Sequence, residues 1–329
     1  MFTGKNVKQD SDEPKAQQDD ILHVRARHFL PFKDPNPQIV TDELIATAHK
    51  IDLLVDEPLL HKFKLSEFGV NAQDFVDIKH TFDALHDDTY ERKLRQVEFL
   101  KGKFPKEKQR LRDFLADYYA HDNALEEVAP LLSKLTPVER KEFEQMPTRR
   151  KRTIARFDAE LGDDGKIRIH RLKAGVFIQL NAPKGHPLSL PRQFEEASEE
   201  LTEEPGFKRL LYTLCKEIFA HKRCKALQVV VHQVTMQATK DEPFVLPDGI
   251  HQDGADFIVS AIPIVLQDVI APTSTVYDLD HKPLLQTQLQ VGEGLFHDDH
   301  EYFHSVSDLY TTGTEGKRGT LGFDFRILQ

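Results

Sequence analysis

A series of β-strand patterns in the second half of the chain limits its fold more than any other feature. The final pattern, residues 320–328, alternates large apolar side chains such as Phe323 and Phe325 with polar or small ones, as a strand with one buried face does. Six further strand patterns cover 166–171, 175–180, 227–236, 257–266, 274–278 and 286–291. Several strands that follow a helical region predict an α+β fold, with a double-stranded β-helix core (a jelly-roll or cupin-like barrel) packed against helices.

The first part of the chain has helical patterns. Predicted helices cover residues 41–56, begin at Ser66, and cover 89–99 and 107–119. We expect residues 1–20, which are polar and charged, to form a disordered tail, and residues 21–130 to form a helical N-terminal region. The patterns leave three roles open for this region: a lid, a homodimer surface, or a buttress beneath the barrel.

A capping box marks the start of the second region. Thr136-Pro137-Val138-Glu139 places proline at the first helical position and predicts a helix that ends near Met146. We therefore predict a separate domain over residues 131–329. Within it, the basic run 149–152 is interpreted either as a solvated helix start or as a local patch of charge. An apolar stripe predicts one long helix from about residue 193 to 219, with the stripe packed in the core.

Composition excludes several classes of function. A net charge of −10 argues against nucleic acid as the main partner, because phosphate binding needs a basic surface. No apolar run approaches the length that spans a membrane. Cys215 and Cys224 are the only cysteines, which excludes a disulfide framework and indicates a cytoplasmic protein. The first twenty residues lack the apolar core of a signal peptide.

The strongest candidate for chemistry is the pair His251 and Asp253. Three His-x-Asp sequences occur, beginning at His86, His251 and His297. His86 lies in a run of charges typical of a solvated face, and His297 lies in a turn-like segment where a loop or a ligand role is open. Only His251 follows a long strand pattern and a Pro-Asp-Gly turn, which indicates the mouth of a barrel, where ligand sites tend to occur.

Three later residues complete a hypothesis for this site. Together with His304, the pair supplies two imidazoles and one carboxylate. Non-haem Fe(II) oxygenases use this ligand set, which leaves the other coordination positions of the iron open. A 2-oxoglutarate co-substrate would chelate the iron at two of those positions. Its far carboxylate would need a permanently charged cation to bind it. Arg318 suits that role better than a lysine because its planar fork stays charged, and Thr320 is placed to share the same carboxylate.

Two other interpretations use the same residues. His300-Glu301-Tyr302-Phe303-His304 is a literal H-E-x-x-H, the zinc metallopeptidase motif, which requires a helix so that both imidazoles share one face. The strand-like residues after His304 argue against that helix. A cupin-like barrel that binds metal without turnover would keep the three ligands without needing Arg318.

The ordered motifs of residues 131–329 resemble one known family. The run 246–254 is similar to the P-E-G-I-H-x-D-G signature of the bacterial and fungal 2OG-Fe dioxygenases, and the likeness continues through 276–278, 298–304, Arg318 and 324–325. Well-known members hydroxylate free aliphatic L-amino acids, as L-isoleucine 4-hydroxylase does, and fungal members convert valine to an aziridine in secondary metabolism. The chain departs from the family's pattern at 271–274 and at His300, both near the expected pocket.

The resemblance implies an Fe(II)/2-oxoglutarate dioxygenase domain that uses O2 and binds iron through His251, Asp253 and His304. It implies hydroxylation of an amino-acid C–H bond through a ferryl intermediate, with ring closure to an aziridine as the alternative. A free amino acid needs a cation for its carboxylate and an acceptor for its ammonium. The candidate substrate-binding residues by type and position are Gln179, Gln233, Arg152, Arg156 and Asp278.

Overall fold

The computed structural model describes residues 58–179, 187–246 and 249–328. The α-helices are α1 (Ala72–His80), α2 (Thr89–Lys103), α3 (Lys108–Ala120), α4 (Ala129–Leu132), α5 (Pro137–Glu144), α6 (Glu199–Thr202) and α7 (Pro205–His221). The strands are β1 (Leu60–Lys64), β2 (Arg150–Leu161), β3 (Ile167–Leu172), β4 (Val176–Phe177), β5 (Arg192–Gln193), β6 (Glu195–Glu196), β7 (Ala226–Thr239), β8 (Phe257–Gln267), β9 (Val269–Ile270), β10 (Thr273–Tyr277), β11 (Pro283–Gln288), β12 (Glu293–Asp298), β13 (Phe303–Val306), β14 (Tyr310–Thr311) and β15 (Glu315–Leu328).

The strands form a large and a small sheet. The large sheet has the order β1-β12-β8-β15-β7-β2-β3, with β6 beside β2, and the small sheet has the order β11-β10-β13. Ala261 of β8 and Leu295 of β12 belong to the same apolar cluster as Val276 of β10, so the two sheets share a core. Short ribbons β14-β9 and β4-β5 accompany them. This architecture confirms the predicted α+β fold with a jelly-roll core.

Strand β15 separates the core from the functional face. It pairs with β7 in unbroken register from Glu315 to Leu328, so its side chains alternate strictly between the two faces. Leu321, Phe323 and Phe325 are fully buried in the cluster that contains the apolar stripe of α7. The ring of Phe323 stacks on that of Phe207 with centroids 6.3 Å apart. Alternation therefore places the even-numbered residues of β15 on the opposite face, inside the barrel.

Replacing Phe323 by alanine is expected to destabilise the fold by about 3–5 kcal/mol, because it leaves a cavity between α7 and the sheet. The measurement is the free energy of unfolding in urea. Val138→Ala, which changes an exposed side chain on α5, serves as the control and is expected to have little effect. Equal midpoints for the two variants would contradict the assignment of Phe323 to the core.

Three of the helices predicted before residue 150 are confirmed, and one is wrong. α2, α3 and α5 are confirmed, and α5 begins at the predicted capping box of Thr136 and Glu139. The helix predicted from Ser66 is wrong: residues Leu65–Phe68 form a short 3-10 helix, and α1 begins at Ala72 behind the cap of Asn71. Gly69, with φ of 74°, ends the 3-10 helix in a left-handed conformation. The predicted helix over 41–56 and the predicted tail over 1–20 lie outside the described residues.

Two predictions in the second region are corrected. The single helix from about residue 193 is wrong, because residues 192–196 pair as β5 and β6 and α7 begins at Pro205 behind the cap of Glu204. The basic run is not a helix start. It opens β2, which lies between β7 and β3, and Arg150 donates from Nε to Asp88 at 2.7 Å. The consecutive basic residues that open β2 have no alternating pattern, so the sequence did not predict this part of the strand.

The predicted boundary near residue 131 stays a prediction. Strand β1, which precedes it, is the edge strand of the large sheet and pairs with β12. Phe63 of β1 belongs to the same core cluster as Phe323. No helix within the described ranges is long and apolar enough to cross a membrane.

Candidate metal centre and substrate pocket

Two backbone hydrogen bonds place His251 opposite His304. The His251 N–H donates to the His304 carbonyl at 3.0 Å, and the His304 N–H donates to the His251 carbonyl at 2.9 Å. This is the closely spaced pair of an antiparallel ladder, formed between the turn after residue 248 and strand β13. The two imidazole rings consequently lie side by side, with centroids 4.2 Å apart. Gly249, with φ of 59°, provides the turn that leads into His251.

The carboxylate of Asp253 meets both imidazoles. His251 Nε2 lies 3.4 Å from Asp253 Oδ1, and His304 Nε2 lies 3.7 Å from Asp253 Oδ2. One ligand atom from each of the three residues lies within 4.8 Å of the other two. The structure thus brings together the three residues that the sequence singled out. Their donor set, two imidazoles and one carboxylate, fits an Fe(II) ion with open positions.

The protonation of these three side chains also fits a metal. The His251 Nδ1 atom lies 3.2 Å from the Gly249 carbonyl, which can only accept, so this nitrogen carries the proton and Nε2 carries the lone pair. Burial lowers the pKa of His304 to about 3, which keeps that imidazole neutral. Burial raises the pKa of Asp253, but the neighbouring His251 and His304 side chains outweigh it, and the pKa is below its usual value.

Asp299 holds the loop that carries Asp253. Its carboxylate accepts hydrogen bonds from the backbone N–H groups of Asp253 at 3.2 Å, Gly254 at 2.7 Å and Ala255 at 3.1 Å. Burial and the charge of Asp253 raise the pKa of Asp299 to about 7 although these three donors lower it. One buried carboxylate therefore fixes three consecutive peptide groups next to a candidate metal ligand.

Arg318 is a buried cation on the inner face of β15. Burial lowers the pKa of its guanidinium to about 10, and its Nε atom is buried without a hydrogen-bond partner. Within the described part of the chain, no carboxylate forms an ion pair with it. Thr320, also buried, follows on the same face. Since an unpaired buried charge costs several kcal/mol, this arrangement is suited to an anionic ligand.

A row of three polar side chains crosses the inner face beside the triad. Arg152 of β2 contacts His232 of β7 at 2.8 Å, and His232 contacts Asp324 of β15 at 2.9 Å. The three strands are neighbours in the large sheet, with Ile154 opposite His232 and His232 opposite Gly322. Sequence reasoning proposed Arg152 as a substrate contact and missed His232 and Asp324, whose partners lie far away along the chain.

Comparison with known proteins decides the family. The sequence profile of the 2OG-Fe dioxygenases matches residues 140–324, more than half of the chain. The protein belongs to the 2OG-Fe dioxygenase family. It is therefore a 2-oxoglutarate-dependent oxygenase, and this family uses Fe(II), 2-oxoglutarate and O2 and acts on small molecules. No curated protein sequence matches significantly.

Several solved structures resemble this dioxygenase. A protein described as IDO from Bacillus thuringiensis has 15% identity and a TM-score of 0.53, covering 87% of this chain and 96% of its own. A bsmA homologue from Methylobium petroleophilum has 20% identity and a TM-score of 0.49, covering 62% and 81%. The first of these likenesses shows a shared fold.

The dioxygenase assignment overturns the zinc metallopeptidase interpretation, and the geometry gives the reason. His300 lies in a turn, not a helix, and its Nε2 atom faces Asp256 Oδ1 at 3.0 Å rather than the triad. Glu301 is exposed. The H-E-x-x-H spacing is therefore a chance match. Family membership likewise argues against a cupin without turnover.

The remaining substrate candidates lie in different environments. Gln179 reaches the site, where its amide donates to Asp253 Oδ1 at 2.7 Å. Gln233 is not brought to the site, because it follows His232 and points to the other face of β7, where it donates to Thr81 Oγ1 at 2.7 Å. Asp278 lies in the turn after β10, and its Oδ1 atom accepts from the backbone of Asp280 and Lys282.

Arg156 and the two other His-x-Asp sequences differ in position and burial. Arg156 donates to the Val176 carbonyl at 3.2 Å, at the edge of the inner face. His86 is exposed, as a solvated face requires. His297, by contrast, is fully buried on β12 with its ring 5.4 Å from that of His304. Strand β12 was not predicted, so the burial of His297 beside the triad had no signal in the sequence.

Replacing Asp299 by asparagine is expected to weaken metal affinity by about 10- to 100-fold, the usual cost of losing a group that orients a metal ligand. The amide offers only one acceptor to three N–H donors. The measurement is anaerobic titration with Fe(II), or with Mn(II) followed by its electron paramagnetic resonance. Asp308→Asn, which alters a carboxylate bonded to the Leu246 N–H outside this loop, is the matched control. Equal affinities in both variants would contradict the role of Asp299.

Proposed function

We propose that this dioxygenase hydroxylates an unactivated C–H bond of a free aliphatic L-amino acid, with Fe(II) held by His251, Asp253 and His304. The convergence of these three ligand atoms within 4.8 Å is the observation that carries the proposal. Bound iron supplies activation of O2, coupled to decarboxylation of 2-oxoglutarate to succinate and CO2. The chain's own residues hold the ligands, orient the substrates and exclude water.

Arg318 and Thr320 are proposed to bind the far carboxylate of 2-oxoglutarate. The guanidinium is buried without a carboxylate partner among the described residues, and a bidentate contact with a ligand carboxylate would supply one. The Thr320 hydroxyl lies on the same face, two residues along β15. Together they offer a cation and a hydroxyl donor to one anionic group.

A free amino acid is favoured as substrate by the charges that face the site. Arg152 offers a cation and Asp324 offers a carboxylate, and both lie on the inner face, with Asp324 close enough to Asp253 for their charges to interact. Aromatic side chains flank the cation: its guanidinium lies 4.4 Å from the ring centroid of Phe194 and 5.3 Å from that of Phe177. A pocket with both signs of charge and apolar walls matches a zwitterion with an aliphatic side chain.

The test begins with anaerobic addition of Fe(II) and 2-oxoglutarate to the protein. We expect the weak visible charge-transfer absorption of the iron–2-oxoglutarate chelate to appear. A screen of free amino acids for stimulated succinate release under O2 then identifies the substrate. The product mass decides the outcome: gain of one oxygen supports hydroxylation, whereas loss of two hydrogens supports ring closure instead. Tight Zn(II) binding without any chelate absorption would overturn the proposal.

A further inference from the structure

We infer that Arg152 and Asp324 bind the two charged ends of the amino-acid substrate, with His232 holding these residues at the separation that a zwitterion requires. Arg152 takes the carboxylate and Asp324 takes the ammonium. The inference rests on the proposed function and extends it, since it assigns the residues that select an α-amino acid over other small acids.

The hydrogen bonds fix the roles of the three side chains. A guanidinium can only donate, so the contact of 2.8 Å between Arg152 Nη2 and His232 Nδ1 makes that ring nitrogen an acceptor. The proton of the neutral imidazole therefore lies on Nε2, which donates to Asp324 Oδ2 at 2.9 Å. His232 separates the two charges while bonded to both, so Arg152 and Asp324 do not neutralise each other in a direct ion pair.

The separation matches the proposed ligand. Two hydrogen bonds and one imidazole ring place the guanidinium and the carboxylate roughly 8 Å apart. A bound α-amino acid would span a similar length. Its ammonium would donate to Asp324 and its carboxylate would accept from Arg152, so the span again consists of two hydrogen bonds and a short rigid unit. The length of the bound zwitterion therefore matches the separation that His232 sets between Arg152 and Asp324.

Both ends keep unused bonding capacity. Within the described ranges, the Arg152 side chain hydrogen-bonds only to His232, and its Nε atom is buried without a partner. Asp324 uses only Oδ2 in its hydrogen bond to His232, and its side chain is 18% exposed, so Oδ1 is accessible to a ligand. A network that served packing alone would be expected to satisfy these atoms internally.

The position of Asp324 relative to the triad supports the same orientation. The negative charges of Asp324 and Asp253 lie close enough to interact across the site. An ammonium bound at Asp324 therefore sits at the end of the row that faces the candidate metal centre. The ring of Phe177, 5.0 Å from that of His232, closes the row on the side of β4.

The experiment uses the Fe(II)–2-oxoglutarate complex of the full chain and follows the perturbation of its visible absorption on addition of L-isoleucine, L-leucine or L-valine. The same titration is made with the matching carboxylic acids that lack the amino group. We expect Asp324→Asn to weaken amino-acid binding at least about 30-fold, as loss of a buried charged partner does, and to leave binding of the acids without an amino group almost unchanged. Arg152→Gln should weaken binding of both ligand types.

The controls separate a binding role from a structural one. Arg168→Gln removes an exposed cation of β3 that donates to Asp164 at 2.7 Å, and it should leave amino-acid affinity within about twofold. The conservative variants Asp324→Glu and Arg152→Lys keep the charge if the first variants fail to fold. Equal weakening of amino acids and of acids without the amino group by Asp324→Asn would overturn the inference. The inference would also be overturned if the wild-type chelate absorption appeared but no amino acid perturbed it, and that result would leave the oxygenase assignment intact. If the absorption did not appear at all, the proposed function itself would be refuted.

Discussion

The variant Asp253→Ala is expected to bind iron at least about 100-fold more weakly than the wild type and to lose 2-oxoglutarate turnover. Asp253 is the only carboxylate among the three converging ligands, and its two oxygens face His251 and His304 separately. Removing a direct ligand should cost more than the 10- to 100-fold loss of affinity that follows loss of a supporting group, so we expect at least about a 100-fold loss. Fe(II) titration under anaerobic conditions measures the affinity, and succinate release measures the turnover.

Two controls make the Asp253 result specific. Asp280→Ala removes an exposed carboxylate from the β10–β11 turn and should leave both measurements unchanged. Glu301→Ala tests the metallopeptidase motif directly, because Glu301 would be essential in that mechanism and is exposed in this fold. If Glu301→Ala abolished activity while Asp253→Ala retained iron, the assigned metal centre would be wrong.

The variant Arg318→Gln is expected to weaken 2-oxoglutarate binding by about 2–5 kcal/mol, or roughly 30-fold to several thousand-fold. The guanidinium is buried, and its loss leaves the far carboxylate of the co-substrate without a cation. Iron affinity without 2-oxoglutarate should stay within a few-fold of the wild type, because Arg318 is not among the three converging ligand atoms. The measurement is the 2-oxoglutarate concentration that gives half of the chelate absorption.

Stability gives the Arg318 prediction a second readout. Burying an unpaired charge destabilises a fold, so Arg318→Gln should leave the free energy of unfolding of the ligand-free protein unchanged or raise it. Arg318→Lys keeps the charge but loses the planar fork and should have an intermediate 2-oxoglutarate affinity. A strongly destabilised Arg318→Gln variant with normal 2-oxoglutarate affinity would show that the residue supports the barrel instead.

The candidate metal ligands could be proposed from sequence because their signals are local. His251 and Asp253 are two residues apart behind a turn, and His304 and Arg318 follow in a recognisable order. The same locality explains the success of the Thr136–Glu139 capping box. Strands β5 and β6 have two residues each, which is too short for a periodic pattern, so they were absorbed into a predicted helix.

The remaining parts of the site depend on contacts between distant segments. His232 lies 80 residues from Arg152 and 92 residues from Asp324 along the chain, and only the register of β2, β7 and β15 places them in one row. The same register decides that His232 faces the pocket and that Gln233 faces Thr81 on the other side of the sheet. No local sequence pattern indicates which face of the sheet each of these two side chains takes.

By itself, the sequence determined the fold class and pointed to the three candidate ligands and to a candidate cation for 2-oxoglutarate, because residue type and short spacing carry that information. Only the tertiary structure decided which polar residues face the interior, that Asp299 fixes the loop of Asp253, and that Arg152 and Asp324 are held apart by His232. The physical reason is that strand pairing joins residues far apart in sequence, and the pairing register sets both the neighbours of each side chain and the face to which it points.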